Sequence, residues 1–285
     1  MWLELAWGRL RRWRLRLVRP GYVARMAELR QGEGGDYPFP ILDPRDLKYV
    51  RNQGDLHWLP QDDPFRWRDR IPLARVGLGE VVIFSLVLLA AGLLLAWYWW
   101  PLAAVPLILW LFVLWFFRDP SRAIPSGPGE LVAPADGRVF AVRELAHDDD
   151  LGRPAIAIDI FLSIFNVHIN RSPEAGRVAS IRYQPGKFLN ALRPEAAREN
   201  EALTVLIDCP EPLGRIKVRQ ITGAIARRIV CWLRPGDDLS RGERFGMIKL
   251  GSRTELVVPR IPGMTVCVKE GDVVRGGVTV MARIE

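Results

Sequence analysis

The stretch RFGMIKLGSRTELVVP, residues 244–259, places two apolar runs of strand length on either side of a bare Gly-Ser pair, Gly251-Ser252. Such a pair is a common turn, because Gly accepts φ > 0 and Ser can hydrogen-bond its own backbone. Read alone, the stretch predicts two strands joined at a turn. It also raises the question of whether Gly251-Ser252 does more than turn the chain.

The same texture extends in both directions. LVAPADGRVFAV, PAIAIDIFLS, GRVASIRYQPG, ALTVLIDC, GRIKVRQITG and MTVCVKEGDVVRGGVTVMARI are short Val- and Ile-rich runs set apart by Gly, Pro and Asp. Runs of this length and spacing predict a mainly β domain, sandwich or barrel-like, over residues 118–285, with one or two helical turns between Lys187 and Asn200. Its tail, VKEGDVVRGGVTV (268–280), looks like the half-repeat of lipoyl carrier domains. Asp272 and Arg275 stand where a carrier would present its lysine, so the tail reads as scaffold.

Upstream the composition changes. Val81 to Trp100 is twenty residues without a charge, and Leu102–Phe117 is a second apolar run directly after Pro101. At 1.5 Å per residue the first is roughly 30 Å long as a helix, the thickness of a bilayer's hydrocarbon core. Two apolar runs with almost no connection must fold back on each other, which predicts a membrane hairpin over residues 76–117. Arg66, Arg68, Arg70 and Arg75 flank one outer end and Arg118 and Arg122 the other, while Trp97, Tyr98, Trp99 and Trp100 crowd the tip. Positive flanks put both ends, and the β domain, on the cytoplasmic side of the inner membrane.

The formal net charge is +8, and residues 1–30, with eight Arg and two Glu, supply most of it. There Trp2, Leu5, Trp7, Leu10, Trp13, Leu15 and Leu17 alternate with the arginines, a pattern for a basic amphipathic arm on an anionic membrane surface. That partner accounts for the charge, and no nucleic acid is expected. Residues 31–75, polar and Pro-rich, read as an irregular linker. Three cysteines without ligand spacing argue against a disulfide framework and against a metal site.

Little chemistry is left to choose from. Asp136 in PADG, His168 in NVHINRSP and Ser252 together allow an activated hydroxyl, with His taking its proton and Asp holding the ring. At these residues the chain resembles the phosphatidylserine decarboxylases, specifically their shorter bacterial branch. FFRDPSRAIP, LVAPADGRV, NVHINRSPEAGRV, GKFLNA, ITGAIARRIVCW and GERFGMIKLGSRTELVVP carry the resemblance, in family order, over about Phe116 to Glu285.

That resemblance answers the opening question. It implies a proenzyme that cuts itself between Gly251 and Ser252, with Ser252 attacking the Gly251 carbonyl to form an ester. β-Elimination then leaves a dehydroalanine that hydrolyses to a pyruvoyl group on the new α chain, residues 252–285. It implies a membrane-bound enzyme that turns phosphatidylserine into phosphatidylethanolamine and CO2 through a Schiff base on that group. His168 would be the base for Ser252 and a proton handler in turnover, and Asp136 would orient it. The partners implied are phosphatidylserine, the chain's own α and β pieces and, as an option left open, a second copy in a homodimer. Two positions depart from the family's common pattern. Arg253 follows the serine where better-known members have Thr, and Ala202 stands where an Arg is usual, which weakens an expected head-group contact. A related serine phospholipid as substrate, or a tethered β scaffold without activity, are the alternatives.

Overall fold

The computed structural model describes residues 2–29, 39, 40, 42, 46, 66–224, 228–249 and 251–284. The chain divides into two compact units, residues 1–64 with 231–233 and residues 65–230 with 234–285. In the first, α1 (Trp2–Val18) and α2 (Pro20–Leu29) carry the basic arm. Arg12 and Leu15 are buried, whereas Trp7, Leu10, Trp13 and Leu17 are exposed. Asp46 is fully buried and accepts from Arg11, Arg12 and the Leu42 N–H, so the inward charge is matched. The linker expected over residues 31–75 lies outside the described residues except at 39, 40, 42, 46 and 66–75.

In the second unit, short 3-10 turns at Arg66–Arg70 and Arg75–Gly77 lead into α3 (Leu78–Tyr98), and a further 3-10 turn, Trp100–Ala103, leads into α4 (Ala104–Phe116). One helix, Arg75–Tyr98, is long and apolar enough to cross a membrane by length and composition. Helix α4, at 13 residues, is about 20 Å long, well short of a bilayer core. The two helices pack side by side. Trp110 Nε1 donates to Ser85 Oγ at 2.8 Å, which satisfies both polar groups inside an apolar pair. Trp97 at the tip is 94% exposed.

The outer ends of the hairpin meet. Leu73 and Arg118 form a β-bridge, the Ala74 N–H donates to the Phe117 carbonyl at 2.6 Å, and the Asp119 N–H donates to the Pro72 carbonyl at 3.0 Å. Gly77 admits the Phe117 ring: a Cβ there would lie 2.1 Å from a ring carbon. Phe116 and Phe117 are both buried, so the hairpin ends inside the β domain's packing and not on a loose tether.

The remainder is mainly β, as the short apolar runs predict. Its strands are β1 (Glu130–Val132), β2 (Gly137–Asp148), β3 (Arg153–Leu162), β4 (Ile169–Arg171), β5 (Gly176–Gln184), β6 (Ala202–Asp208) and β7 (Arg215–Thr222). Then come β8 (Arg228–Cys231), β9 (Asp238–Leu239), β10 (Arg244–Lys249), β11 (Ser252–Pro259), β12 (Met264–Val266), β13 (Val273–Val274) and β14 (Val280–Ile284). Eight of them form a curled half-barrel sheet in the order β13-β2-β3-β11-β7-β6-β5-β9. Two three-stranded sheets, β1-β14-β12 and β4-β10-β8, complete it. The single helical turn between Lys187 and Asn200 is Ala196–Glu199.

The stretch that opens the sequence reading is not a hairpin. β10 pairs with β4, whereas β11 lies between β3 and β7, so the chain changes sheet at Gly251. Every residue of β11 is buried. Ser252, Thr254, Leu256 and Val258 share one face with Leu162, Ile160 and Ile158 of β3, and Arg253 and Glu255 share the other with Asp159 and Arg219. Half of the twelve largest fully buried side chains, Ile158, Ile160, Leu162, Ile216, Ile221 and Leu256, belong to β3, β7 and β11.

Candidate active site

Gly251 adopts φ +66°, a left-handed conformation in which Cβ-bearing residues are strained. A Cβ there would meet nothing within 4 Å, so backbone conformation and not space calls for glycine. Space is the issue at Gly223, which follows β7: a Cβ there would lie 2.4 Å from the Gly251 carbonyl oxygen. Two glycines from distant segments thus bring the Gly251 carbonyl onto bare backbone. Ser252 begins β11 in register with Leu162 and Thr222. Its Oγ is fully buried and has no hydrogen-bond partner among the described residues. A buried hydroxyl left unpaired costs about 1–3 kcal/mol, so its retention calls for a reason.

His168 supplies one. The Gly251 N–H donates to its Nε2 at 3.3 Å, and its Nδ1 lies 2.9 Å from the Asn166 carbonyl. The carbonyl can only accept, so Nδ1 carries the proton and Nε2 keeps its lone pair beside the Gly251-Ser252 bond. The ring is fully buried and packs on Phe116, centroid to centroid 4.6 Å. Burial pushes His168 down to about 4, against the opposing pull of the Asn166 carbonyl and with the help of the Arg118 charge. It is therefore neutral at pH 7, the form a proton acceptor needs. The loop that holds it is self-made: Asn166 Oδ1 accepts from both the N–H and the hydroxyl of Ser163, each at 2.8 Å.

Asp136, expected to orient His168, is bonded elsewhere. Its Oδ2 accepts from Arg122 at 2.8 Å and its Oδ1 from the Gly276 N–H at 2.7 Å, and no bond joins it to the imidazole. The reason lies in the loops: His168 finds its acceptor in its own turn, and Asp136 is taken up by an arginine from the chain after the hairpin. The whole FFRDPSR block is used in this way. Arg118 donates to the Phe165 carbonyl, Asp119 pairs with Arg171 and Arg244, and Arg122 pairs with Asp136. Burial raises the Asp119 carboxyl, with the three arginines Arg244, Arg171 and Arg122 opposing.

The two departures in sequence have definite places. Arg253 is buried on the opposite face of β11 from Ser252, and its guanidinium meets Asp159 at 2.9 and 2.6 Å. Arg143 bridges Asp159 and Glu255, and Arg219 takes the other oxygen of Glu255, so four strands are cross-linked by charge directly behind the serine. Ala202 is fully buried in β6, opposite Ile221, where it can offer a head group nothing.

Four polar residues around the site carry no motif that marks them in the sequence. Asn170 Nδ2 donates to Thr254 Oγ1 at 3.0 Å and Gln220 Nε2 to Asn170 Oδ1 at 2.8 Å, all fully buried. Asn200, also fully buried, clamps the GKFLNA segment by two bonds to Leu189 and donates to the Thr222 carbonyl at 2.7 Å, beside Gly223. The available signal was the register of polar residues: Asn170 lies two after His168 and Thr254 two after Ser252, so each shares its neighbour's face.

Comparison with known proteins agrees with the geometry. The family model described as phosphatidylserine decarboxylase matches residues 109–282. A phosphatidylserine decarboxylase proenzyme from Rhodopirellula baltica is 51% identical over 240 residues, 84% of this chain and 99% of its own length. Another of that name from Syntrophus aciditrophicus is 42% identical over 198 residues, 70% of this chain and 92% of its own.

Proposed function

The chain belongs to the phosphatidylserine decarboxylase family, and on that premise we propose that it is a self-cleaving proenzyme that converts phosphatidylserine to phosphatidylethanolamine and CO2. The observation that carries this reading is the buried, unpartnered Oγ of Ser252, one residue from the Nε2 of a neutral His168 and next to a left-handed Gly251. Ser252 Oγ attacks the Gly251 carbonyl carbon as its proton passes to His168 Nε2, which gives up the Gly251 N–H to receive it and hands the proton on to the Ser252 nitrogen as the C–N bond breaks. An ester takes the place of the amide, and β-elimination from Ser252 then frees residues 1–251 as a carboxylate. Gly223 leaves the carbonyl uncovered for that attack, and the β3 and β7 ladders hold Ser252 still.

The same position fits a pyruvoyl group derived from Ser252. Its surroundings are buried, and its hydroxyl is bound to nothing among the described residues. Such a group supplies the electron sink that α-decarboxylation of an amino acid requires. Around it the chain's own residues do three things. His168 holds or accepts a proton at Nε2, the Asn170-Thr254-Gln220 bonds fix the strand face below, and Phe116 and the Asn200-pinned segment keep water out.

The setting is a membrane. The exposed apolar length of α3, the tryptophans at the tip and the arginines at both outer ends support a hairpin whose ends and β domain lie on the cytoplasmic side. The domain boundaries that go with it are an arm over 1–30, a linker over 31–75, the hairpin over 76–117 and the decarboxylase domain over 118–285. The exposed Trp7, Leu10, Trp13 and Leu17 of α1 suit an anionic lipid surface.

Intact mass measurement on the denatured full-length protein tests the reading. Fragments 1–251 and 252–285, the latter with a blocked pyruvoyl end, are expected, and Ser252→Ala is expected to stay whole and release no CO2. An uncut wild-type chain, or an active Ser252→Ala protein, would overturn it.

A further inference from the structure

The FFRDPSR block contains one arginine without an ion pair among the described residues. Arg122 is matched by Asp136, Arg171 and Arg244 by Asp119, and Arg253 by Asp159. Arg118 makes no ion pair among the described residues. Its Nη1 donates to the Trp115 carbonyl at 2.7 Å and its Nη2 to the Phe165 carbonyl at 2.9 Å, both neutral acceptors, and its guanidinium carbon sits 4.0 Å from the centre of the Trp115 ring. The carboxylate whose field it feels, Asp136, is already bonded to Arg122. A guanidinium has five N–H donors, so three remain.

Its position gives that spare capacity a use. Arg118 follows directly on the hairpin's second helix, where head groups meet the hydrocarbon, and beside it Trp115 and Phe165 are 53% and 61% exposed. The Phe165 ring meets Phe112 of α4 edge-on at 6.1 Å, so the loop before His168 leans on the membrane helix. Arg118 holds the carbonyl of Phe165 and His168 holds the carbonyl of Asn166, the next residue along. A half-buried cation without a counter-ion thus stands between the lipid surface and the reacting atoms.

We propose that Arg118 anchors the phosphodiester of the lipid head group, with Trp115 and Phe165 seated among the first carbons of its acyl chains. The proposal rests on the decarboxylase reading above. The phosphodiester, and not the serine carboxylate, is the fitting anion. The carboxylate loses its charge as CO2 leaves, so a cation on it would favour the ground state over the transition state. The phosphodiester keeps its charge throughout, and binding it lowers KM while hardly touching kcat.

The test compares two soluble substrates with the full chain in detergent: dihexanoyl phosphatidylserine, and O-hexyl-L-serine, which keeps amine and carboxylate but has no phosphate. With Arg118→Met, KM for the phospholipid should rise by about tenfold or more, as loss of a charge-assisted bond implies, with a smaller change in kcat. KM for O-hexyl-L-serine should stay within about twofold, and Arg118→Lys should recover part of the phospholipid KM. An equal loss on both substrates would make Arg118 a strut for the Phe165 loop or a carboxylate ligand, and an unchanged phospholipid KM would remove it from binding; either overturns the proposal. Should the variants fail to mature, wild-type protein still decides. Dihexanoyl phosphatidylglycerol should compete with the phospholipid substrate and dihexanoylglycerol should not, and equal inhibition by the two refutes the anchor. Wild-type protein that releases CO2 from neither substrate fails earlier, at the decarboxylase reading itself.

Discussion

Acidification should separate this site from an ordinary histidine. If His168 must be neutral to take the Ser252 proton, the rate of self-cleavage follows its neutral fraction, and burial has moved its pKa from 6.5 to about 4. An unshifted imidazole would be neutral in only about a tenth of molecules at pH 5.5, whereas a group titrating near 4 would be almost wholly neutral. Maturation should therefore run at nearly the same rate at pH 5.5 as at pH 8 and fall only as pH drops through about 4. The assay is a single turnover: chain made in a cell-free reaction with detergent, shifted in pH, and followed for the appearance of fragment 252–285 by mass. The same shift has a stability side. The depressed folded value means the unfolded chain takes the proton first, so the contribution of neutral His168 is whole above about pH 6.5, declines below it by roughly 3 kcal/mol in all, and is spent near pH 4. Near-ultraviolet circular dichroism at each pH guards against counting unfolding as loss of chemistry. A cleavage limb centred between pH 6 and 7 in protein still folded would refute the assignment of His168 as a buried, neutral base.

Three other perturbations address the supports of the site. Gly223→Ala pushes a methyl toward the Gly251 carbonyl from 2.4 Å, so maturation should slow by about tenfold or more for each ~1.4 kcal/mol of misplacement, with the fold intact; gels over time check it, and normal cleavage would show that the carbonyl can move aside. Asp159→Asn strands the buried Arg253 and should cost about 3 kcal/mol in denaturant unfolding of the uncut Ser252→Ala background, an unchanged midpoint showing that Glu255 alone balances the nearby arginines. Lys249, two residues before the cut, pairs with Glu80 on α3 and bonds the Val76 carbonyl, and burial lowers its pKa. Glu80→Gln should therefore reduce CO2 release from phosphatidylserine vesicles by several-fold, at the ~1–2 kcal/mol scale of a part-buried pair, while cleavage continues; equal activity in vesicles would mean the pair only solubilises the lysine.

The β character of the domain and its apolar helical lead-in were legible because each rests on local pattern, alternation in one case and uncharged length in the other. Ser252 and His168, 84 residues apart, were singled out through family motifs. What could not be read was pairing between distant segments. The Gly-Ser pair looked like a hairpin turn since both flanking runs have strand composition, yet composition says nothing about which sheet each run joins. Asp136 looked like the partner of His168 because the chemistry wants a carboxylate there; that the Asn166 carbonyl fills the place depends on a three-residue loop closing on itself. The partner of Arg253, Asp159 on the neighbouring strand, belongs to the same class of distant pairing, although an aspartate inside the apolar run AIAIDIF was itself a sign that a buried cation lay nearby.

The change of sheet at Gly251 has a bearing on the life of the molecule after it matures. Strands β11 to β14 all lie beyond the proposed cut, and they are distributed between the eight-stranded sheet and the β1-β14-β12 sheet. Before cleavage they are brought to their places by covalent connection; after the proposed cut a short peptide, its first strand wedged between β3 and β7, would be held by ladder bonds, burial and ion pairs such as Arg253-Asp159 and Glu255-Arg219. Should the mature protein open fully, that peptide is free to diffuse away, and reassembly becomes a meeting of two chains at cellular dilution, one of them with its starting residue chemically altered. Cut at that position, the enzyme would be made once. Its working lifetime is governed by how slowly the sheet lets go of its central strand rather than by any equilibrium between folded and unfolded forms.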